Sequence, residues 1–157
     1  MKQKLLTGYQ AGGKTFKVHL DGYNLVPVLK GEAKESPRKE MLYWSDDGDL
    51  MALRYEDWKA VFKEQRAESF HVWSEPMVDL RVPKLFNLRS DPFERADHNA
   101  IYYNDWLVRR VFLLVPAQGF VAQWISSFKE FPPSQKPASF SIDQVMEKLE
   151  AAGQRNR

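Results

Sequence analysis

Three short runs in the middle of the chain constrain its fold more than any other feature. Met41 to Ser45, Leu50 to Tyr55 and Trp58 to Lys63 each have the length and residue pattern of a strand. The tetrapeptide Asp-Asp-Gly-Asp separates the first two runs, and its Gly48 can adopt a positive φ at little cost. Only a Glu-Asp pair separates the last two. Connections this short join antiparallel neighbours, so the pattern predicts an antiparallel sheet.

Further elements are predicted towards the C-terminus. Leu85 to Leu88 is a fourth predicted strand, reached after a long excursion from Glu64 to Lys84. Apolar residues in the last third recur at helical spacings, and Pro116 is expected to kink or split that run. Ser141 is the predicted N-cap of a last helix. The chain is therefore predicted to have an α+β fold, in which a small antiparallel sheet of about four strands packs against C-terminal helices.

The N-terminal region carries weaker signals. Residues 1–15 are polar and rich in glycine, which predicts a flexible lead-in, and residues 16–153 are predicted to form a single α+β domain. Phe16 to Leu20 alternates apolar with polar residues, which indicates a short extended run. Asp21 and Gly22 predict a turn at its end.

The segment Leu85 to Asp97, LFNLRSDPFERAD, connects the fourth strand to the helical region. Pro92 suits the first position of a helix, Asp91 can cap the amides of its first turn, and Glu94 can accept from the N–H of the cap residue. The segment therefore predicts a strand-to-helix turn built from capping groups. A catalytic role for Asp91 or Glu94 is not expected.

The bulk composition excludes several classes of protein. The net charge is +2 with acidic and basic residues interleaved, so no basic face indicates a nucleic-acid partner. The chain has no cysteine, which excludes disulfides, thiolate metal sites and thiol catalysis. Its first residues lack the apolar core of a signal peptide, so nothing marks it for export and its compartment stays undecided.

One uncharged segment, Val111 to Phe128, approaches the length of a membrane span. It contains Pro116, Gly119 and several polar residues, and two arginines precede it. We therefore predict a buried helix pair here and no membrane partner.

The motifs that could indicate chemistry lack the context that they require. Gly8 to Thr15, GYQAGGKT, fits the letter pattern of a phosphate-binding loop, but the sequence after it alternates like a strand instead of forming a helix. The acidic residues 46–49 lack the ligand spacing of a calcium loop and fit a polar hairpin tip. His19, His71 and His98 occur singly, without metal-ligand spacing or an adjacent nucleophile. No cofactor and no metal site are predicted in this chain.

Four segments, taken in order, carry a family resemblance. They are HLDGYNLVPVLKGE (19–32), RKEMLYWSDDGDLMALRYEDWK (38–59), LFNLRSDPFE (85–94) and FKEFPPSQKPASFSIDQVMEKL (128–149). Over residues 14–150 they resemble the C-terminal portion of arylsulfatase-type sulfatases. Each segment alone is a weak match, and the ordered set is the more specific signal. The fold that this resemblance implies is a four-stranded antiparallel sheet packed on a C-terminal helix.

The resemblance places the chemistry of such an enzyme outside this chain. The family hydrolyses sulfate esters with a formylglycine, made from Cys or Ser in a C/S-x-P-x-R motif, beside a divalent cation that is usually calcium. The nearest string here, Ser74 to Val78 (SEPMV), has valine in place of the arginine. The family's metal ligands and sulfate-contacting residues belong to its large α/β domain, so no catalytic residue is carried over to this chain.

The resemblance thus implies a non-catalytic C-terminal domain that braces the sulfatase catalytic domain of the same protein and walls part of its substrate pocket. His19, His71 and Trp73 are the candidates for lining that pocket. A missing partner domain should leave an apolar face bare, through which the chain could self-associate. Parents of this kind are often periplasmic or secreted. Two alternatives stay open, namely a free-standing protein-interaction or binding module that reuses the fold, and an independent enzyme.

Overall fold

The computed structural model of the chain describes residues 1–132. Its helices are α1 (Lys2–Thr7), α2 (Val26–Leu29), α3 (Ala96–Asn99), α4 (Tyr103–Val108) and α5 (Leu114–Ser126), with short 3-10 helices at Ser69–Trp73, Val111–Leu113 and Ser127–Lys129. Its strands are β1 (Tyr9–Ala11), β2 (Lys14–Phe16), β3 (Glu40–Trp44), β4 (Leu50–Tyr55), β5 (Trp58–Glu64) and β6 (Val78–Asn87). The predicted α+β fold is confirmed.

Strands β3 to β6 form an antiparallel sheet in which their spatial order is their order along the chain. The three strands predicted in the middle of the chain are confirmed to within one residue at each end. Gly48 has a φ of 81° in the hairpin between β3 and β4, which is the backbone conformation that favours glycine.

The fourth strand is longer than the sequence predicted. β6 begins at Val78, so residues 78–84, predicted as part of an excursion, belong to the sheet. Pro83 lies inside this strand and cannot donate to a sheet hydrogen bond. It is tolerated because β6 is an edge strand, with a partner on one side only.

The larger part of the core lies between one face of the sheet and the C-terminal helices, and Ala52 and Phe86 are buried on the other face. The strand register places Leu53, Ala60 and Leu85 side by side on the face towards the helices, and all three are buried. Aromatic pairs join the sheet to α4 and α5, with ring centroids 5.3 Å apart for Trp44 and Trp124, 4.9 Å for Tyr55 and Phe120, and 6.0 Å for Trp58 and Trp106. Such pairs contribute about 0.5–1.5 kcal/mol each beyond the burial of their surface.

Tyr103, the first residue of α4, closes the free edge of β6. Its hydroxyl donates to the carbonyl of Leu85 at 3.0 Å and accepts from the N–H of Leu85 at 3.1 Å. Its ring stacks on Phe86 with 6.0 Å between centroids, and the residue is 6% exposed. A buried side chain therefore satisfies both backbone groups that an edge strand would otherwise leave open.

The apolar C-terminal run is divided at Arg109 and Arg110 and not at Pro116. Pro116 lies in the first turn of α5, where its missing N–H would have no helical acceptor. The Arg110 guanidinium lies 4.6 Å from the ring centre of Trp106. The helix predicted to begin at Ser141 lies outside the described residues.

The prediction of a buried helix pair in this run is wrong. One side of α5 packs on the sheet, but none of its residues is buried, and Phe112 and Val115 nearby are 63% and 70% exposed. By length and composition alone, Val111–Lys129 is a helical segment apolar enough to cross a membrane. The described part of the chain provides no second layer on the outer side of this helix.

The N-terminal residues contain regular structure that the sequence did not indicate. α1 leads into the hairpin of β1 and β2, in which Tyr9 pairs with Phe16. Phe16 is also the only residue of the predicted extended run that lies in a strand, because the N–H of Val18 donates to the carbonyl of Leu5 in α1 instead. The turn predicted at Asp21 and Gly22 is not formed. The division into a lead-in and a single domain stays a prediction.

The turn between β6 and α3 contains a cap, but not in the predicted geometry. The Asp91 carboxylate accepts from the N–H groups of Arg95 and Ala96 at 3.1 and 2.8 Å. Because α3 begins only at Ala96, Pro92 lies in the preceding turn and not in the first helical position. Glu94 has a φ of 55° and directs its carboxylate to the sheet, so its predicted bond to the cap residue is wrong.

Candidate functional site

Two adjoining cavities meet at His19, Asp21 and Trp124, and together they are named the His19 cleft. Their volumes are about 450 and 410 Å³, within the range of small-molecule sites. The larger is also lined by Lys17, Val18, Ser127, Phe128, Glu130, Phe131 and Pro132, and the smaller by Lys2, Tyr23, Arg38, Glu40, Met41, Leu42, Trp44. The cleft thus joins the irregular segment after β2 to the first strand of the sheet and the end of α5.

A histidine–aspartate pair lies at the junction of the two cavities. Nδ1 of His19 lies 3.0 Å from Oδ1 of Asp21, and because an ionised carboxylate can only accept, Nδ1 carries the proton. The His19 side chain is 31% exposed, and its ring centre lies 5.7 Å from that of Phe131. The second ring nitrogen, Nε2, is therefore the atom through which this pair can meet a ligand.

Tyr23 and Glu40 form a second polar pair in the cleft. The Tyr23 hydroxyl donates to Oε1 of Glu40. This hydrogen bond, and burial after it, raises the pKa of Tyr23 above its ordinary value, so the hydroxyl keeps its proton at neutral pH. Lys2 and Arg38 each place their cationic group 5.3 Å from the centre of the Tyr23 ring. These contacts hold both cations against the cleft wall.

Three aromatic rings form an apolar wall opposite these polar groups. Trp124 lies 5.3 Å from Trp44 and 5.0 Å from Phe128 between ring centroids, the second contact being edge to face at 78°. Trp44 and Phe128 are 5.9 Å apart. The rings support one another, so the wall is set by packing between β3 and α5.

Ser127 lines the same cavity as His19 and Asp21, which invites comparison with a Ser–His–Asp triad. The Ser127 hydroxyl, however, donates to the carbonyl of Trp124, in the last turn of α5, at 2.7 Å. A serine nucleophile must give its proton to the histidine. In the arrangement observed, Ser127 therefore does not donate to His19.

The other residues predicted to line a pocket lie elsewhere. His71 and Trp73 belong to the 3-10 helix between β5 and β6, and Trp73 is 79% exposed. Gln65 ties this segment down by donating to the carbonyls of Val72 and Glu75. Neither residue lines the His19 cleft. His19 alone of the three candidates faces a cavity there, and whether that cavity belongs to an enzyme's pocket stays a prediction.

The structure also shows what the glycine-rich and acidic sequence motifs form. Gly12 and Gly13 form the tight turn between β1 and β2, so the stretch from Gly8 to Thr15 is a hairpin and not a strand–loop–helix cradle for phosphate. Asp49, at the acidic hairpin tip, pairs with Lys63 at 3.2 Å. Within residues 1–132 no group of three or more His, Asp or Glu side chains could hold a metal ion.

The sequence did not reveal a network of ion pairs that lies on the face of the sheet away from Leu53, Ala60 and Leu85. Nζ of Lys59 lies 2.7 Å from each carboxylate oxygen of Glu94. Nζ of Lys84 lies 2.5 Å from Glu64 and 2.7 Å from Asp97. Burial alone would lower the pKa of Lys84, but its hydrogen bonds to Asp97 and Glu64 outweigh burial and raise it. The network ties the segment after β6 to the sheet and is structural in character.

Comparison with known proteins gives one kind of match. No protein-family model matches the chain, and no curated protein matches it. Among solved structures, seven chains match. One is the crystal structure of PsFucS1 sulfatase from Pseudoalteromonas sp., which matches 64% of this chain at 24% sequence identity with a TM-score of 0.45. The match covers 19% of the sulfatase chain, so this chain spans about a fifth of its length. The likeness concerns the fold of that part alone.

Proposed function

We propose that this chain is the non-catalytic C-terminal domain of an arylsulfatase-like sulfuric ester hydrolase. It would brace the catalytic domain of that protein, and its His19 cleft would wall part of the substrate pocket. The ordered resemblance of residues 14–150 supports this proposal, and so does a four-stranded antiparallel sheet packed against a helix. Catalysis, formylglycine and calcium would belong to the other domain.

The observation that carries the proposal is the character of the Val111–Lys129 segment. Val121 and Trp124 lie on its half-buried side, towards the sheet, while Phe112, Val115 and Ile125 lie exposed. Large apolar side chains that lie exposed together mark a surface that another protein or a membrane covers. Here the sheet occupies one side of α5, and on the other side these residues, interspersed with Gln118 and Gln123, mark a surface that a further protein layer would cover.

Covering these exposed side chains would contribute a free energy that is large for a domain of this size. Each large apolar side chain that leaves water for an interface contributes about 1.5–3 kcal/mol. Phe112 and Val115 are 63% and 70% exposed, so covering this exposed part with a catalytic domain would contribute about 2–4 kcal/mol. Left bare, the same residues should make the isolated chain self-associate.

Dye binding and sizing chromatography test this surface. The parent chain should bind an anilinonaphthalene sulfonate dye and elute as an oligomer, and the double variant Phe112→Lys with Val115→Lys should lose most of both properties. Gln118→Lys, which adds a single lysine at an exposed polar position of α5, is the control and should behave like the parent. A strictly monomeric parent that binds no dye would contradict the proposal.

A membrane is the competing partner for the same surface, and it has a separate test. The segment Val111–Lys129 is long and apolar enough for a span by length and composition. Co-sedimentation with phosphatidylcholine vesicles, lost in the Phe112→Lys and Val115→Lys variant but kept in Gln118→Lys, would assign the surface to a bilayer and overturn the proposal. We expect the chain to stay in the supernatant.

An assay for sulfate-ester hydrolysis tests the non-catalytic role. The isolated chain should release no p-nitrophenol from p-nitrophenyl sulfate, with or without calcium. Release that depends on calcium would show that the chain is an enzyme by itself.

The second candidate is a free-standing binding module, and the observation that favours it is the His19 cleft, whose lining combines polar side chains with aromatic rings. A gene that starts at Met1, with no sulfatase-encoding sequence upstream, would favour this module over the sulfatase domain.

A further inference from the structure

We infer that the loop between β5 and β6 binds an arginine side chain that a protein partner presents. The loop comprises residues 65–77, includes the 3-10 helix Ser69–Trp73, and is named the Trp73 loop. The inference goes beyond the proposed function and does not depend on it. It follows from three properties of the loop: two bare aromatic rings, a backbone held by hydrogen bonds, and two carboxylates without partners among the described residues.

Two large aromatic side chains project from the Trp73 loop into solvent. Phe70 and Trp73 are 82% and 79% exposed. They are three residues apart, and side chains at this spacing eclipse one another in a 3-10 helix, so both lie on one side of it. Within residues 1–132, no other aromatic ring and no cation packs on either ring. These two rings therefore take no part in the core and are available to a partner.

Hydrogen bonds hold the backbone that carries these rings. Nε2 of Gln65 donates to the carbonyls of Val72 and Glu75 at 3.3 and 2.9 Å. The carbonyl of His71 accepts from the N–H groups of Ser74 and Glu75, both at 3.0 Å. An aromatic side chain on a fixed backbone has only two χ angles left to order. A partner that packs on the rings therefore imposes little further ordering on this chain.

The charge around the rings is negative. Glu68 immediately precedes the 3-10 helix and Glu75 follows it by two residues, and both are exposed. Neither carboxylate has a hydrogen bond or an ion pair within the described part of the chain. Arg66 is the one lysine or arginine of the Trp73 loop, and its Nε is already engaged by Glu64 at 2.8 Å. The loop therefore presents two uncompensated negative charges beside two bare rings.

Arginine is the side chain that uses both features at once. Its planar guanidinium stacks on aromatic faces, and its five N–H donors match the geometry of carboxylates. A lysine ammonium is a compact, strongly hydrated charge that stacks less well. A choline headgroup can lie over a ring but has no N–H to donate to Glu68 or Glu75, and an anionic partner would be repelled by both. The combination of rings and carboxylates thus favours an arginine of a protein partner.

NMR of the full chain with ¹⁵N-labelled tryptophan tests the inference. The chain has five tryptophans, and loss of one indole signal in Trp73→Phe identifies that of Trp73. The probe is a short peptide with two arginines separated by glycine, added to about 10 mM in about 0.15 M salt, so that millimolar affinities register and distant charges are screened. The Trp73 signal should shift saturably, with an affinity at least threefold higher than for the same peptide with lysines.

Variants of the loop show which groups bind the peptide. Phe70→Ala, and the double variant Glu68→Gln with Glu75→Gln, should each weaken binding by about fivefold, read from the Trp73 signal. Phe93→Ala is the matched control for the ring, because Phe93 is also 79% exposed but lies outside the loop. Glu32→Gln with Glu35→Gln is the matched control for the charges, since both residues are exposed. Both controls should bind like the parent.

Each outcome decides the question. No saturable shift of the Trp73 signal, equal affinity for the two peptides, or binding that persists in both loop variants would overturn the inference. A saturable shift with phosphocholine but not with the arginine peptide would also overturn it, by assigning the loop to a lipid headgroup. Circular dichroism of the variants ensures that weaker binding reflects the loop and not unfolding. The dye and sizing results for the apolar surface of α5 are unaffected by failure here, so the two proposals are tested separately.

Discussion

Replacing Lys84 with methionine tests whether ion pairs hold the segment after β6 on the sheet. Nζ of Lys84 bridges Glu64 and Asp97 at 2.5 and 2.7 Å. The Asp97 side chain is only 8% exposed, and among the described residues its Oδ1 has no hydrogen-bond partner. The imidazole of His98 lies 3.4 Å from Asp97 and is largely exposed. Methionine keeps the apolar stem of the lysine, so the variant would remove the lysine counter-charge from Asp97 and leave Glu64 paired with Arg66 alone.

The size of the effect follows from the burial of the pair. Removing one partner of a fully buried ion pair costs about 3–5 kcal/mol. The Lys84 and Glu64 side chains are 23% and 20% exposed, so water compensates part of the loss. We therefore expect Lys84→Met to lower the free energy of unfolding by about 2–3 kcal/mol. For a chain of this size that corresponds to a fall of roughly 5–10 °C in Tm.

Urea unfolding followed by tryptophan fluorescence measures this loss. Lys30→Met is the matched control, because Lys30 is mostly exposed and lies 3.9 Å from Glu32, and it should leave the midpoint unchanged. Adding Asp97→Asn to Lys84→Met should recover part of the stability, because it removes the buried charge. A Lys84→Met variant as stable as the Lys30→Met control would refute the reasoning.

A further prediction concerns the buried hydroxyl of Tyr103. Tyr103→Phe should lower the free energy of unfolding in urea by about 1–3 kcal/mol, because the N–H and carbonyl of Leu85 would lose their partner. The control Tyr102→Phe, at an exposed neighbouring residue, should not change the free energy of unfolding measurably. Asp91→Ala should lower stability by about 1 kcal/mol through loss of its cap, and an unchanged midpoint would count against that role. The third prediction concerns the loss of stability at low pH. Burial by itself would raise the pKa of Glu64, but hydrogen bonds from Lys84 and a neighbouring arginine outweigh burial and lower it below 4.5. Because the unfolded state then binds the proton more tightly, stability should fall as pH drops below about 4.5, and less steeply in Glu64→Gln. Equal slopes in parent and variant would contradict this.

The middle of the sheet could be predicted because its signals are local. Strand-length patterns and a glycine at a hairpin tip determine β3, β4 and β5 without reference to distant residues. The start of β6 was missed because Pro83 breaks the strand pattern, and only the position of β6 at the edge of the sheet makes that proline acceptable. The helix after Asp91 begins later than predicted because Glu94 adopts a positive φ and turns to the sheet.

Long-range contacts account for what the sequence could not show. Lys59 lies on the face of the sheet away from Leu53 and Ala60, and its partner Glu94 is 35 residues away in the chain. The aromatic wall of the His19 cleft likewise depends on Trp44 and Trp124, which come together only through the packing of α5 on β3. The exposure of α5 could not be predicted either, because an apolar helix looks the same in sequence whether or not a second layer covers it.

The DNA upstream of the Met1 codon tests the central claim most directly. If this chain is a sulfatase's C-terminal domain, the sequence immediately upstream should encode a large α/β domain that contains a C/S-x-P-x-R motif. A gene that starts at Met1, with no sulfatase-encoding sequence before it, would contradict that claim.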